Sequence, residues 1–63
     1  MSLRDAAVLI DAALEGNITA VREALEEGAD INARDIVGGT ALRHASLKGH
    51  TETVSMLKTY GAL

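Results

Sequence analysis

Apolar residues recur along this chain at intervals of three and four, in four bursts that each close on a glycine. Ala6, Leu9, Ile10 and Ala13 make the first apolar face at helical spacing. Ser2-Leu3-Arg4-Asp5 fits a capping box, with the Ser2 hydroxyl accepting from the Asp5 backbone N–H and the Asp5 carboxylate reaching back. The pattern predicts a helix running to about Glu15 and stopped by Gly16, since glycine takes the left-handed conformation of a helix C-terminus. A second helix, capped by Asn17 or Thr19, runs to about Glu26 with Val21, Ala24 and Leu25 inward. Arg22, Glu23, Glu26 and Glu27 form its wet side, and Gly28 ends it. So short a link makes the two helices antiparallel neighbours.

The stretch Gly28–Leu42 has a different character. Asp30 and Asn32 are turn formers, Ile31 alternates with them, Gly38-Gly39 permits a tight bend, and Thr40 is a good N-cap. It predicts a turn, a short extended hairpin and the start of a third helix. That helix spans about Ala41 to Lys48, with Leu42 and Ala45 inward and Gly49 at its end. A fourth begins near Thr51 or Glu52 and ends at Tyr60, with Val54, Met56 and Leu57 apolar, and Gly61 closes it.

Displaced by 33 residues, the chain matches itself. Leu9 meets Leu42, Ala12 meets Ala45, Leu14 meets Leu47, Gly16 meets Gly49, Val21 meets Val54, Gly28 meets Gly61 and Ala29 meets Ala62. These are seven identities among the thirty pairs that 1–30 and 34–63 allow, where random pairing gives about two. Two helices per unit at such a period indicate a solenoid. The second unit, G-G-T-A-L-R-H-A-S-L-K-G-H, resembles the ankyrin repeat signature T-P-L-H-x-A-A-x-x-G-H at Thr40, Leu42, Ala45, Gly49 and His50. Gly28-Ala29-Asp30-Ile31-Asn32-Ala33 resembles the hairpin segment that closes that family's repeat. The resemblance covers about residues 6–63. Ala41 stands where the family usually has proline. Arg43 stands where it usually has a histidine that ties repeats together. The first unit lacks the T-P-L-H start, as suits a terminal repeat.

The implied fold is all-α: an α-solenoid of about two ankyrin-type helix-turn-helix repeats joined by a β-hairpin-like loop. It forms one domain over residues 1–63, with units at about 3–33 and 34–63. Stacking should bury Leu9, Leu42, Val21 and Val54 in a seam between units. Leu25, Ala20 and Ile18 become Lys58, Thr53 and Thr51 in the second unit, which is the polar outer face of a repeat with nothing stacked upon it. The alternative is a terminal fragment of a longer array, since the family pattern continues with Asp-Val-Asn-Ala after Gly61-Ala62.

Composition sharpens this. There is no cysteine or proline and one aromatic residue, Tyr60, so the core must come from small aliphatic side chains. A chain of 63 residues buries only about 60% of its unfolded surface. The net charge of −3 opposes nucleic-acid binding, which needs a basic surface. The charge is uneven. Residues 1–30 hold seven acids against Arg4 and Arg22, or −5; residues 31–63 hold Arg34, Arg43, Lys48 and Lys58 against Asp35 and Glu52, or +2. That asymmetry raises end-to-end stacking of copies as a second function class. The run Ala6–Ile10 is too short for a membrane span or a signal peptide, so a cytoplasmic chain is the default expectation.

Candidate chemistry is sparse. His44 and His50 straddle a helix end at poor metal spacing. Ser46 lies near His44 in sequence, but on one helix the two point apart. Ser55 has no nearby base, and Glu26 and Glu27 lie on the wet face. No catalytic, metal or cofactor site is expected. His50 is expected to bond loop backbone after Gly49. The resemblance implies a protein partner held by hairpin tips and the concave face of the first helices. By that resemblance the contact residues are Ile36, Val37, Gly39, Arg43, His44, Leu47 and Lys48. The competing expectation for Ile36 or Val37 is an inward fold against the neighbouring hairpin. Two units offer less than the usual interface of about 800 Å² per partner, so binding should be weak or part of something larger.

Overall fold

The computed structural model describes residues 2–63. It consists of four helices, α1 (Ala6–Glu15), α2 (Ile18–Glu26), α3 (Ala41–Lys48) and α4 (Thr51–Thr59). Among the described residues there is no strand. The segment between α2 and α3 is a succession of turns that runs as a hairpin-like loop without a sheet ladder. α1 packs on α2 and α3 on α4, and the two pairs stack α1 on α3 and α2 on α4.

The helix starts follow from local side chains. The Asn17 carboxamide oxygen accepts from the Ala20 N–H at 3.1 Å, and the Thr40 hydroxyl accepts from Arg43 N–H at 3.2 Å. At α1 the expected Ser2 box is not what forms. Asp5 is extended (φ −69°, ψ 129°), and its own carboxylate accepts from the Ala7 N–H at 3.0 Å. The Ser2 hydroxyl accepts instead from the Arg4 N–H at 3.2 Å. A helix cannot include Leu3 and Arg4 while its cap lies after them, so the chain makes a separate turn first.

All four helices end in the same way. Gly16 and Asn17 donate back to the Ala13 and Ala12 carbonyls; Gly28 and Ala29 to Leu25 and Ala24. Gly49 and His50 donate to Ser46 and Ala45, and Gly61 and Ala62 to Lys58 and Leu57. This paired bonding is the Schellman motif, which needs the left-handed glycine. The four glycines have φ between 70° and 101°. The 33-residue repeat is therefore present atom by atom at the helix ends.

Leu9, Ala13, Val21, Ala24, Ala41, Ala45 and Leu57 are sealed from solvent, with Ile10, Ala12, Ala29 and Thr53 close behind. Two expectations are corrected here. Leu42 and Val54 are only half-buried, while Thr53, read as part of the polar outer face, is 1% exposed. The reason is that there is only one junction between units. Each unit buries the side that faces the other. Ile10, Ala13 and Val21 are buried, whereas their counterparts Arg43, Ser46 and Val54 are exposed or half-exposed. Conversely Ala41 and Thr53 are buried, and their counterparts Val8 and Ala20 are half-buried. Leu57 and Ala24 lie centrally and are buried in both units. Among the described residues no buried side-chain polar atom lacks a partner.

Candidate functional site

The loop before α3 is organised by a single carboxylate. Asp35 Oδ1 accepts from the Gly39 N–H at 2.8 Å and from the Val37 N–H at 3.1 Å. Its backbone N–H donates to the Gly39 carbonyl, and its carbonyl accepts from Gly38, both at 2.9 Å. Oδ2 accepts from His44 Nε2 at 2.7 Å. One side chain thus closes the tip and fastens it to the first turn of α3. The Gly39 N–H first and then the His44 ring hold the Asp35 carboxyl below its ordinary value, with the Val37 N–H adding to them against the opposing effect of burial.

Gly39 itself is buried, and a Cβ there would lie 2.5 Å from His44 Nε2. A side chain at position 39 would have to push the imidazole off its bond to Asp35. Two of the sequence-derived contact residues therefore shape the tip. Gly39 has no surface to present, and His44, expected to face solvent freely, has a side chain only 17% exposed and turned onto Asp35. The other five are exposed. Ile36 is 105% and Val37 80% accessible, so neither folds inward. Leu47 is 72% accessible, and Arg43 and Lys48 are exposed on the same helix.

Residues outside the sequence-derived set lie beside Ile36. Ala6, Ala7 and Ile10 of α1, with Arg34 and Asp35 of the loop, line an open groove of about 390 Å³ together with it. The missed signal at Asp35 was an Asx pattern: an Asp four residues before a glycine, with a histidine one helical turn beyond. Arg34 had no signal beyond its place beside the tip.

His50 also differs from expectation. Its Nε2 donates 2.9 Å across to the Leu14 carbonyl of the first unit rather than to backbone of its own loop. Gly16 makes room for it, since a Cβ at Gly16 would approach the ring to 2.6 Å. His50 thereby ties the second unit to the first. A second tie joins the units at the chain end, where the Leu63 N–H donates to Asn32 Oδ1 at 3.1 Å.

Elsewhere, Ile18 of α2, Glu52, Ser55, Met56 and Thr59 of α4, and Tyr60 just after it border a shallow depression of about 310 Å³. Among the described residues no three His, Asp or Glu side chains are grouped as metal ligands. Among the described residues no helix is long and apolar enough to cross a membrane.

A family model described as ankyrin repeats in many copies matches residues 9–57. The chain is 50% identical over 46 residues to a probable E3 ubiquitin-protein ligase of Oryza sativa subsp. japonica, covering 73% of this chain and 9% of that protein. It is 43% identical over 61 residues to the mitochondrial disaggregase of Bos taurus, covering 97% of this chain and 9% of the relative. It is 38% identical over 61 residues to the 2-5A-dependent ribonuclease of Mus musculus, covering 95% and 8%. The chain thus spans less than a tenth of the length of the curated relatives it matches.

Proposed function

This chain belongs to the ankyrin-repeat family, and from that membership and the exposed loop tip we propose that it is a protein-interaction module. Ankyrin repeats are generally such modules. The mechanism is shape held rigid: the partner rests on Ile36 and Val37, on the exposed residues Arg43, Leu47 and Lys48 of α3, and along the groove beside α1. Gly39 and His44 contribute by fixing the tip. The observation that carries this reading is that two branched apolar side chains stand in water on a loop tied down by five hydrogen bonds of Asp35, three to its carboxylate and two to its backbone. A tip ordered before contact loses little entropy when it binds.

The module does no chemistry of its own in this reading. Among the described residues the one histidine–carboxylate pair, His44 with Asp35, has its carboxylate oxygens committed to loop backbone and imidazole. Whatever activity a longer protein carries would reside outside these two repeats.

The test is affinity capture with the wild-type chain beside an Ile36→Ser/Val37→Ser variant. Both side chains are exposed, so the variant keeps the fold, as circular dichroism would verify. We expect partners recovered by the wild type to be depleted at least several-fold by the variant. Equal recovery of the same partners would place the binding edge elsewhere.

Self-assembly by end-to-end stacking is the second reading. It is favoured by the opposite charges of the two units, −5 over residues 1–30 and +2 over residues 31–63.

A further inference from the structure

The apolar edge is bordered by cations. Ile36, Val37 and Leu47 are three of the exposed large apolar side chains, and Arg34, Arg43 and Lys48, close to them in sequence, are exposed as well. The His44–Asp35 bond at 2.7 Å holds the tip against α3. Leu47 and Lys48 follow His44 by three and four positions, one helical turn of about 5 Å along the same side. Arg43 adjoins His44, and Arg34 lines the groove with Ile36. Among the described residues the one ion pair is His44 with Asp35, so none of the three cations is paired to a carboxylate. Asp35 is the acid within the patch, and its oxygens already accept three hydrogen bonds.

This basic edge sits on an acidic chain. The positions of α1 equivalent to His44 and Lys48 are Asp11 and Glu15, both exposed. The corresponding face therefore changes sign from one unit to the next, over a helix spacing of about 8–10 Å. A long uniform polyanion laid along it would run from Lys48 onto Glu15 and be repelled. A short segment confined to the second unit would not.

We infer that the partner of this edge is a short acidic, apolar peptide segment, its apolar side chains on Ile36, Val37 and Leu47 and its carboxylates over Arg34, Arg43 and Lys48. This rests on the interaction-module reading and adds the chemistry of the partner. Opposite charge around an apolar centre steers the encounter and selects against basic segments.

The experiment is fluorescence polarisation of the whole chain with three labelled synthetic peptides. All share the same leucine positions, and the intervening residues are glutamate, lysine or serine. The glutamate peptide should bind at least about tenfold tighter than the lysine peptide. That ratio should shrink towards one at about 0.5 M salt, as screening removes the charge contribution. Arg43→Glu/Lys48→Glu, exposed positions both, should invert the order while leaving the circular dichroism unchanged. Equal affinity for all three peptides overturns the inference. So does a preference that survives charge reversal, or no binding of the glutamate peptide at about 1 mM. A single-stranded oligonucleotide of matched length binding tighter than the glutamate peptide would reassign the edge to nucleic acid and overturn it too. The outcomes separate from those of the parent reading. If all peptides bind equally and Ile36→Ser/Val37→Ser weakens all three, only the acidic partner is lost. If that variant also leaves affinity capture intact, the edge itself is wrong.

Discussion

Asp35 decides how the exposed edge is presented, and it was the least legible residue of the site. Read in sequence it is one more surface acid; its role depends on where His44 lies nine residues later. Gly39 was legible as a turn glycine, but its reason was not. The constraint is the imidazole 2.5 Å from where a Cβ would be. Ile36 and Val37 could be recognised as apolar residues in an odd place, yet their direction depended on the loop that Asp35 folds. A pH effect follows. The Asp35 carboxyl is held below its ordinary value of 3.8, chiefly by the Gly39 N–H and then by His44. A group depressed in the folded state stabilises fully above its unfolded pKa. That contribution is lost as the pH falls through the lowered folded value. As the pH falls below about 4, the wild type should therefore lose more thermal stability than Asp35→Asn, which has no such proton to bind. Parallel acid profiles for the two would show that the carboxylate adds nothing to the fold.

Helix extents were readable because capping residues and terminal glycines act locally. Asn17, Thr40, Gly16 and Gly49 behave as their chemistry demands. The rotation of α4 was not readable, because the repeat makes Val21 and Val54 look equivalent while only one of them faces a neighbour. The glycines allow a sharp test. Gly16 and Gly49 share a left-handed backbone, with φ of 70° and 74°. Alanine at either costs about 1–2 kcal/mol for that conformation. At Gly49 nothing lies within 4 Å of the added Cβ, but at Gly16 it would meet the His50 ring at 2.6 Å. Gly16→Ala should therefore destabilise clearly more than Gly49→Ala in urea unfolding. His50→Ala should cost about 1 kcal/mol for the lost bond to Leu14. The double variant Gly16→Ala/His50→Ala should be less damaging than the two losses added together. Strict additivity would mean the ring does not occupy that space.

At the scale of the molecule, the all-α two-repeat architecture was legible from periodicity and the 33-residue register together. The opposite charges of the two units argue for stacking of copies. The polar side chains on the open side of the second unit argue against it. Sedimentation equilibrium from about 10 µM to about 1 mM distinguishes the two, since self-association follows mass action. We expect a folded monomer at the dilute end. A mass that rises with concentration and falls back in salt would favour stacking through charge.

One-sided burial also gives the molecule a grain. On the open flank of the first unit lie Val8 and Ala20, half covered. On the open flank of the second lie Arg43, Ser46 and Lys58. Another helical hairpin laid against the first would meet methyl groups. Laid against the second, it would have to strip water from two cations. Tandem arrays built from this unit would accordingly lengthen more readily from one flank than from the other.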